Sequence, residues 1–178
     1  MKTEFLALVA SAALLAISSG CGTAPGSAPQ SSQAAAAVDA SQYKLTEEPD
    51  GAVGVIAARE ATDDGDPVVL VGRVGGSEQP WVDGRAAFTL LDASMSVVAE
   101  GEDSGEGEIC AGDCCATERL HCTTLVKIVN SQGQLVKIDS RELLGLKVSD
   151  MVVVKGTVKK DENGNFVMLA SGVYNRNE

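Results

Sequence analysis

The sequence predicts an all-β domain of five or six strands with one short helix before the last hairpin. Three observations carry that expectation. Short segments rich in Val, Ile, Thr and Phe recur from Val68 onward. Turns containing Gly, Asp and Asn separate them. No amphipathic segment of helical length alternates with them, so the βαβ rhythm of a parallel sheet is missing. In chain order, residues 42–66 read as a transition segment. Asp50 is placed to cap a short helix over Val53–Ala61, where Val53, Ile56, Ala57 and Glu60 follow helical spacing. Thr62 to Pro67 end it with turn chemistry. Val68–Gly76 (VVLVGRVGG) is β-branched and closes on a glycine pair. Ala86–Asp92 (AAFTLLD) puts Phe88 and Leu90 on one face. Thr123–Asn130 (TTLVKIVN) alternates after Leu125. Ser131 to Gln134 read as a tight turn into a return strand, Leu135–Asp139 (LVKID). Arg141–Leu146 (RELLGL) suits a single helical turn. Met151–Lys160 and Asn165–Tyr174 form the clearest hairpin. Asp161-Glu162-Asn163-Gly164 joins them, and Asn-Gly is a strong hairpin signal.

The opening strand VVLVGRV, the segment AAFTLLD and the closing hairpin VVVKGTVKKDENGNFVMLASGVY together resemble the OB-fold, a five-stranded Greek-key barrel. The resemblance covers roughly Pro67 to Tyr174 of the domain at 67–178. Gly72 and Gly156 lie inside strands, where Gly is expected to mark a bulge or bend that lets a small barrel close. OB-folds often bind oligonucleotides or oligosaccharides. Here the charges argue against nucleic acid. The chain carries 25 acids against 14 bases, a net charge of −11, and phosphate affinity comes mainly from Lys and Arg. Residues 119–178 hold the basic excess, with Lys155, Lys159 and Lys160. Aromatic residues make up 3% of the chain, too few for a row of stacking platforms. Trp81, in the loop SEQPWVDGR beside Arg85, is the residue expected to contact a ligand or partner. The alternative is a lid packed over the barrel end.

The N-terminus reads as a targeting segment. Lys2 supplies a positive start, and Phe5–Ile17 form an apolar run too short to span a bilayer as a helix. Ser18-Ser19-Gly20-Cys21 follows and resembles the lipobox of bacterial lipoproteins, although Ser18 stands where Leu is usual. That resemblance implies a signal peptide over 1–20, a diacylglycerol thioether on Cys21 and an additional acyl chain such as palmitate. Residues 21–41 are rich in Gly, Ala, Ser, Pro and Gln, and are expected to form a disordered linker with an end-to-end distance of ~25 Å. The expectation is an exported protein, lipid-anchored to the cell envelope through Cys21 and facing the periplasm. Gly22, in place of the Asp that retains many lipoproteins in the inner membrane, favours the outer membrane by the same resemblance.

Residues 100–122 (EGEDSGEGEICAGDCCATERLHC) form an insertion between strands. Its first half is acidic and expected to be solvated. The acids lack the D-x-[DN]-x-[DN]-G pattern of a calcium loop. The second half holds Cys110, Cys114, Cys115, His121 and Cys122 in the spacing C-x3-C-C-x5-H-C. One reading is two disulfides, in keeping with export and an even number of thiols. A bridge between the neighbours Cys114 and Cys115 is disfavoured by strain. Two connectivities then remain: Cys110–Cys114 with Cys115–Cys122, or Cys110–Cys115 with Cys114–Cys122. The other reading is a site for zinc or Cu(I), or a redox-active thiol set.

The chain has one His and no G-x-S-x-G, Walker A, dinucleotide-binding or H-E-x-x-H motif. No enzyme is therefore expected, and no cofactor is required. The leading expectation is a non-enzymatic binding or structural module of the cell envelope. It would be held on the lipid bilayer and turned toward an envelope protein or small ligand. The alternative is a metal-binding or thiol-redox protein acting through the cysteine set.

Overall fold

The computed structural model describes residues 38–98, 105–110 and 115–177. The signal segment, Cys21, nearly all of the linker, Cys114 and much of the acidic run fall outside the described residues. The described chain contains eight strands: β1 Val53–Gly54, β2 Pro67–Val74, β3 Ala87–Asp92, β4 Ser96–Val98, β5 Glu108–Cys110, β6 Thr123–Ile128, β7 Met151–Lys160 and β8 Phe166–Asn175. Its α-helices are α1 Val55–Ala61, α2 Ala116–Cys122 and α3 Ser140–Leu144.

Five of these strands close into a barrel. The sheet runs β1-β2-β3-β6-β8-β7, and β7 returns to pair with β2. Closure satisfies ladder groups that an open edge would leave exposed. The pairs β2–β3, β3–β6, β7–β8 and β2–β7 are antiparallel, whereas β6–β8 is parallel. The sheet is thus mixed. Its one parallel pair within the barrel arises because the chain passes through α3 and β7 before β8 returns beside β6. This arrangement is consistent with the OB-like barrel that the strand pattern resembles. β1 adds a short parallel partner to β2, with Val53 opposite Leu70.

Two glycines permit the closure. At Gly72, where β2 passes from β1 to β3, a Cβ would lie 2.4 Å from the Leu91 carbonyl oxygen. At Gly156 it would lie 2.1 Å from the Leu169 carbonyl oxygen, and the β7–β8 register shifts between Lys155 and Gly156. Both distances are below van der Waals contact, so backbone approaches backbone where only hydrogen fits. The irregularity at Gly156 is of the kind expected from the sequence.

The barrel interior follows the period-2 alternation of its strands. Leu70 and Val74 of β2, Phe88 and Leu90 of β3, Val126 and Ile128 of β6, and Met168 of β8 are fully buried. Leu143, Leu144 and Leu146 add the helix α3 to the same core. Asp139 begins α3 by accepting the Arg141 amide at 2.9 Å. Gly145 ends it in the left-handed conformation at φ 75°. The buried hydroxyls are satisfied: Thr124 Oγ1 donates to Phe166 O and Ser140 Oγ to Ala87 O.

Four expectations change. Asp50 does not cap α1. Val53 and Gly54 are drawn into pairing with β2, so the helix begins at Val55 with Gly54 as its N-cap. Leu135–Asp139 is not a strand. Leu135 makes one bridge to Val129, and the chain then turns away so that Asp139 can cap α3. Beyond the transition region the described residues hold two α-helices, α2 and α3, where one was expected. The unexpected one, α2, lies in the cysteine insertion, where no sequence pattern marks it. The insertion also adds a parallel pair, β4–β5.

The insertion is an excursion from one hairpin. Leu91 of β3 pairs with Thr123 of β6, and everything between leaves and returns at that point. It carries a small core of its own: Leu91, Ile109 and Cys122 are buried, with Ile56, Met95 and Cys115 packed against them.

Candidate functional site

The insertion meets α1 around a cleft of about 370 Å³. Ile56 of α1, Met95 after β3, Glu108, Ile109 and Cys110 of β5, Cys115, and Glu118, His121 and Cys122 of α2 line it. Four of the five residues flagged by the C-x3-C-C-x5-H-C spacing, Cys110, Cys115, His121 and Cys122, thus come to one place. Cys114 lies outside the described residues. A second concavity of about 440 Å³ lies between α1, β2 and β7, and Lys155 is its one titratable lining residue. Chemistry therefore concentrates at the cysteine cleft.

Burial differs among the sulfurs. Cys110 and Cys122 are buried at 4% and 3% exposure, and Cys115 is half-buried. Cys122 is a thiol, with its Sγ directed at the carbonyls of Glu118 and Arg119 at 3.5 and 3.6 Å. Burial pushes its pKa up and the Asp92 carboxylate pushes the same way. Arg59 and Arg119 oppose them and do not prevail. His121 is exposed. Among the described residues, no three His, Cys, Asp or Glu side chains meet in the arrangement of a metal centre. Arg119 ties the helix to the strand by donating from Nη1 to Cys110 O at 3.1 Å.

Asp92 joins the cleft to the barrel. It is the last residue of β3 and is 4% exposed. Its Oδ2 accepts the Ile56 amide at 2.9 Å, supplying from across the fold the cap that Gly54 cannot. Its Oδ1 accepts the Ser94 amide and hydroxyl at 2.9 and 2.6 Å. Burial by itself would raise this carboxyl. Hydrogen bonds from the Ser94 hydroxyl and from the amides of Ile56, Ser94 and Val55 outweigh it and hold the group below its ordinary value. A Cβ on Gly54 would strike Asp92 Oδ2 at 2.5 Å, so the glycine makes room for the carboxylate.

On the far side of the junction, Arg59 donates from Nη2 to Thr123 O at 2.7 Å and lies 4.9 Å over the Phe166 ring. Lys160 Nζ closes the C-terminus of α1 through the carbonyls of Arg59 and Thr62.

Trp81 is half-buried and packed against the main core. It pairs with Phe88 in an antiparallel bridge, which places both rings on one face, 6.2 Å apart. The cation over it is Arg141, at 5.6 Å. Arg85 is exposed, and its Nη1 donates to Gly84 O. Arg141 also holds Asp139 through two hydrogen bonds and Asp83 through one. The Arg141 side chain brings the Asp139 carboxyl down to about 2. Asp161, which looks calcium-like in sequence, spends its carboxylate on the amides of Asn163 and Asn165 in the β7–β8 turn.

Sequence reasoning missed Met95, Asp92, Arg59 and Arg119. Met95 sits in a connection with no pattern, and the other three gain meaning only through long-range neighbours. Compared with protein-family models and with curated proteins, the sequence matches none. No helix among the described residues is long and apolar enough to cross a membrane.

Proposed function

We propose that the protein is an exported lipoprotein of the cell envelope that works as a non-enzymatic binding module. The OB-like barrel is its rigid scaffold and the cysteine-lined cleft its binding site. The observation that supports this reading is the cleft itself: an insertion, leaving and rejoining one hairpin, builds a concavity with an apolar floor and a sulfur-bearing wall. Concave, mostly apolar sites with a few placed polar groups are the usual form of small-ligand sites. The charge balance turns the module away from nucleic acid.

The anchor part of the reading rests on the lipobox-like segment ending at Cys21 and on the linker behind it. Two or three acyl chains hold a protein stably on a bilayer, at ~0.8 kcal/mol per buried methylene. Gly22 favours outer-membrane sorting. The test is fractionation of a Cys21→Ser variant. Release into the soluble fraction, or accumulation unprocessed, is the expected outcome. Partition of that variant into detergent with the membranes removes the anchor.

A further inference from the structure

We propose that the trough between α1, β2 and β7 is a second binding site, and that its ligand is a free straight-chain fatty acid whose carboxylate pairs with Lys155. The site is separate from the cysteine-lined cleft and depends neither on it nor on the lipid anchor. The trough encloses about 440 Å³, a size usual for small-molecule sites. Strand alternation sets its floor. Leu70 is fully buried in the barrel, so Val69 beside it projects outward. Val69 stands directly opposite Lys155 in the antiparallel β2–β7 ladder, so the two side chains share that outer face. Ala57 and Ala61, four positions apart on one side of α1, form one wall, and Val53, 39% exposed, borders the trough from β1. Ala57 and Ala61 are exposed, and a single methyl at each leaves the space that a longer side chain would fill.

The polar groups are few and decide the ligand class. Thr62 is the one lining residue with a side-chain hydroxyl, and it donates that hydroxyl to Ala58 O at 2.7 Å. The Lys155 ammonium is therefore the one side-chain donor left to a ligand. Lys155 is exposed, and no carboxylate among the described residues pairs with it. The acids of the turn after α1 are engaged elsewhere: Asp64 with Lys159 Nζ and the Lys160 amide, and Asp66 with the Asp63 amide. A sugar or nucleotide would bring hydroxyls and ring nitrogens to a surface that cannot satisfy them. An aliphatic chain with one carboxylate matches both the apolar lining and the single cation. The methylene stem of Lys155 can lie along the apolar floor while its ammonium meets the carboxylate in water.

The test is isothermal titration calorimetry on the chain from residue 21 onward carrying Cys21→Ser, so that no acyl chain or detergent competes for the trough. Octanoate, decanoate and dodecanoate are the probes, each kept below its micellar range. Saturable binding of one molecule per chain is expected, with affinity rising by up to ~4-fold per added methylene. Decanoate should bind more tightly than decan-1-ol. Lys155→Gln should weaken decanoate by ~3–5-fold and abolish its advantage over the alcohol. Ala57→Leu places a larger side chain in the trough at an exposed position of α1, so it should abolish binding without lowering the melting temperature. Absence of saturable binding by dodecanoate overturns the proposal. So does undiminished binding in Ala57→Leu, which would put the fatty acid at another site. Equal affinity of the parent chain for decanoate and decan-1-ol, or an unchanged preference in Lys155→Gln, removes the carboxylate–lysine pair and with it the assignment.

Discussion

The barrel core and the insertion core solve the same problem with unequal means. The barrel buries 21 side chains drawn from all five of its strands, α1, α3 and the segments beside them, and every strand has a partner on both sides. Among the described residues the insertion's cluster holds three buried side chains, Leu91, Ile109 and Cys122, and borrows one of them from β3. It covers them with a two-stranded pair and a helix of seven residues. A cluster that small has little apolar area from which to draw stability. The difference teaches that the barrel can stand without the insertion, whereas the insertion depends on the barrel. Low local stability is also where binding segments are commonly found.

Substitutions in the two cores can break that comparison. Phe88→Ala opens a cavity in the barrel and should lower unfolding free energy by about 3–5 kcal/mol, read by denaturant titration of Trp81 fluorescence. A loss below ~1 kcal/mol would mean that the barrel core is not the main source of stability. Asp92→Ala strikes the joint between the regions. It leaves the Ile56 and Ser94 amides without their acceptor and should cost about 1–3 kcal/mol near neutrality. The Asp92 carboxyl is held below its ordinary value in the folded chain, so folding favours the ionised form. Its contribution is therefore present above the ordinary carboxylate pKa and is lost as acid titrates the folded group. The gap in melting temperature between wild type and Asp92→Ala should be full near neutrality and narrow in acid. A constant gap across that range would assign the effect to packing instead.

Excising the insertion sharpens the comparison. Replacing residues 93–121 by Asn-Gly leaves Asp92 opposite Cys122 across a two-residue turn, which suits an antiparallel hairpin. The shortened chain should retain cooperative unfolding and lose less stability than Phe88→Ala does, by the same fluorescence measurement. Collapse to a non-cooperative transition would show the insertion to be part of the barrel's folding unit. The smallest effect is expected at Leu120, which is 68% exposed on α2. Leu120→Ser should change stability by no more than ~0.5 kcal/mol in thermal denaturation.

The five barrel strands were legible because each carries its own signal. Val68–Val74, Ala87–Asp92, Thr123–Ile128 and the Asn-Gly hairpin each fall where β-branched residues and turn residues place them. Gly156 announced the irregularity between β7 and β8, and Gly72 the close approach to Leu91 O, since a glycine inside a strand has few other uses. The cap of α1 was misread because Asp50 is near in sequence, whereas Asp92 is near in space. LVKID looked like a strand because its apolar pattern is local, but the need of α3 for Asp139 as a cap took the segment elsewhere. Of the site, the spacing revealed Cys110, Cys115, Cys122 and His121 as a group. It could not say which sulfurs share a wall.

Local chemistry thus determined the barrel strands, the hairpin, the helical turn near Arg141–Leu146 and the thiol-rich insertion, because period, turn propensity and composition act over a few residues. The tertiary structure alone decided that β7 closes onto β2, that Asp92 caps a helix 36 positions away, and that Ile56, Met95 and Cys115 pack against Leu91, Ile109 and Cys122. Those outcomes depend on burial and hydrogen bonding between distant segments, and no sequence period records which distant partners will meet.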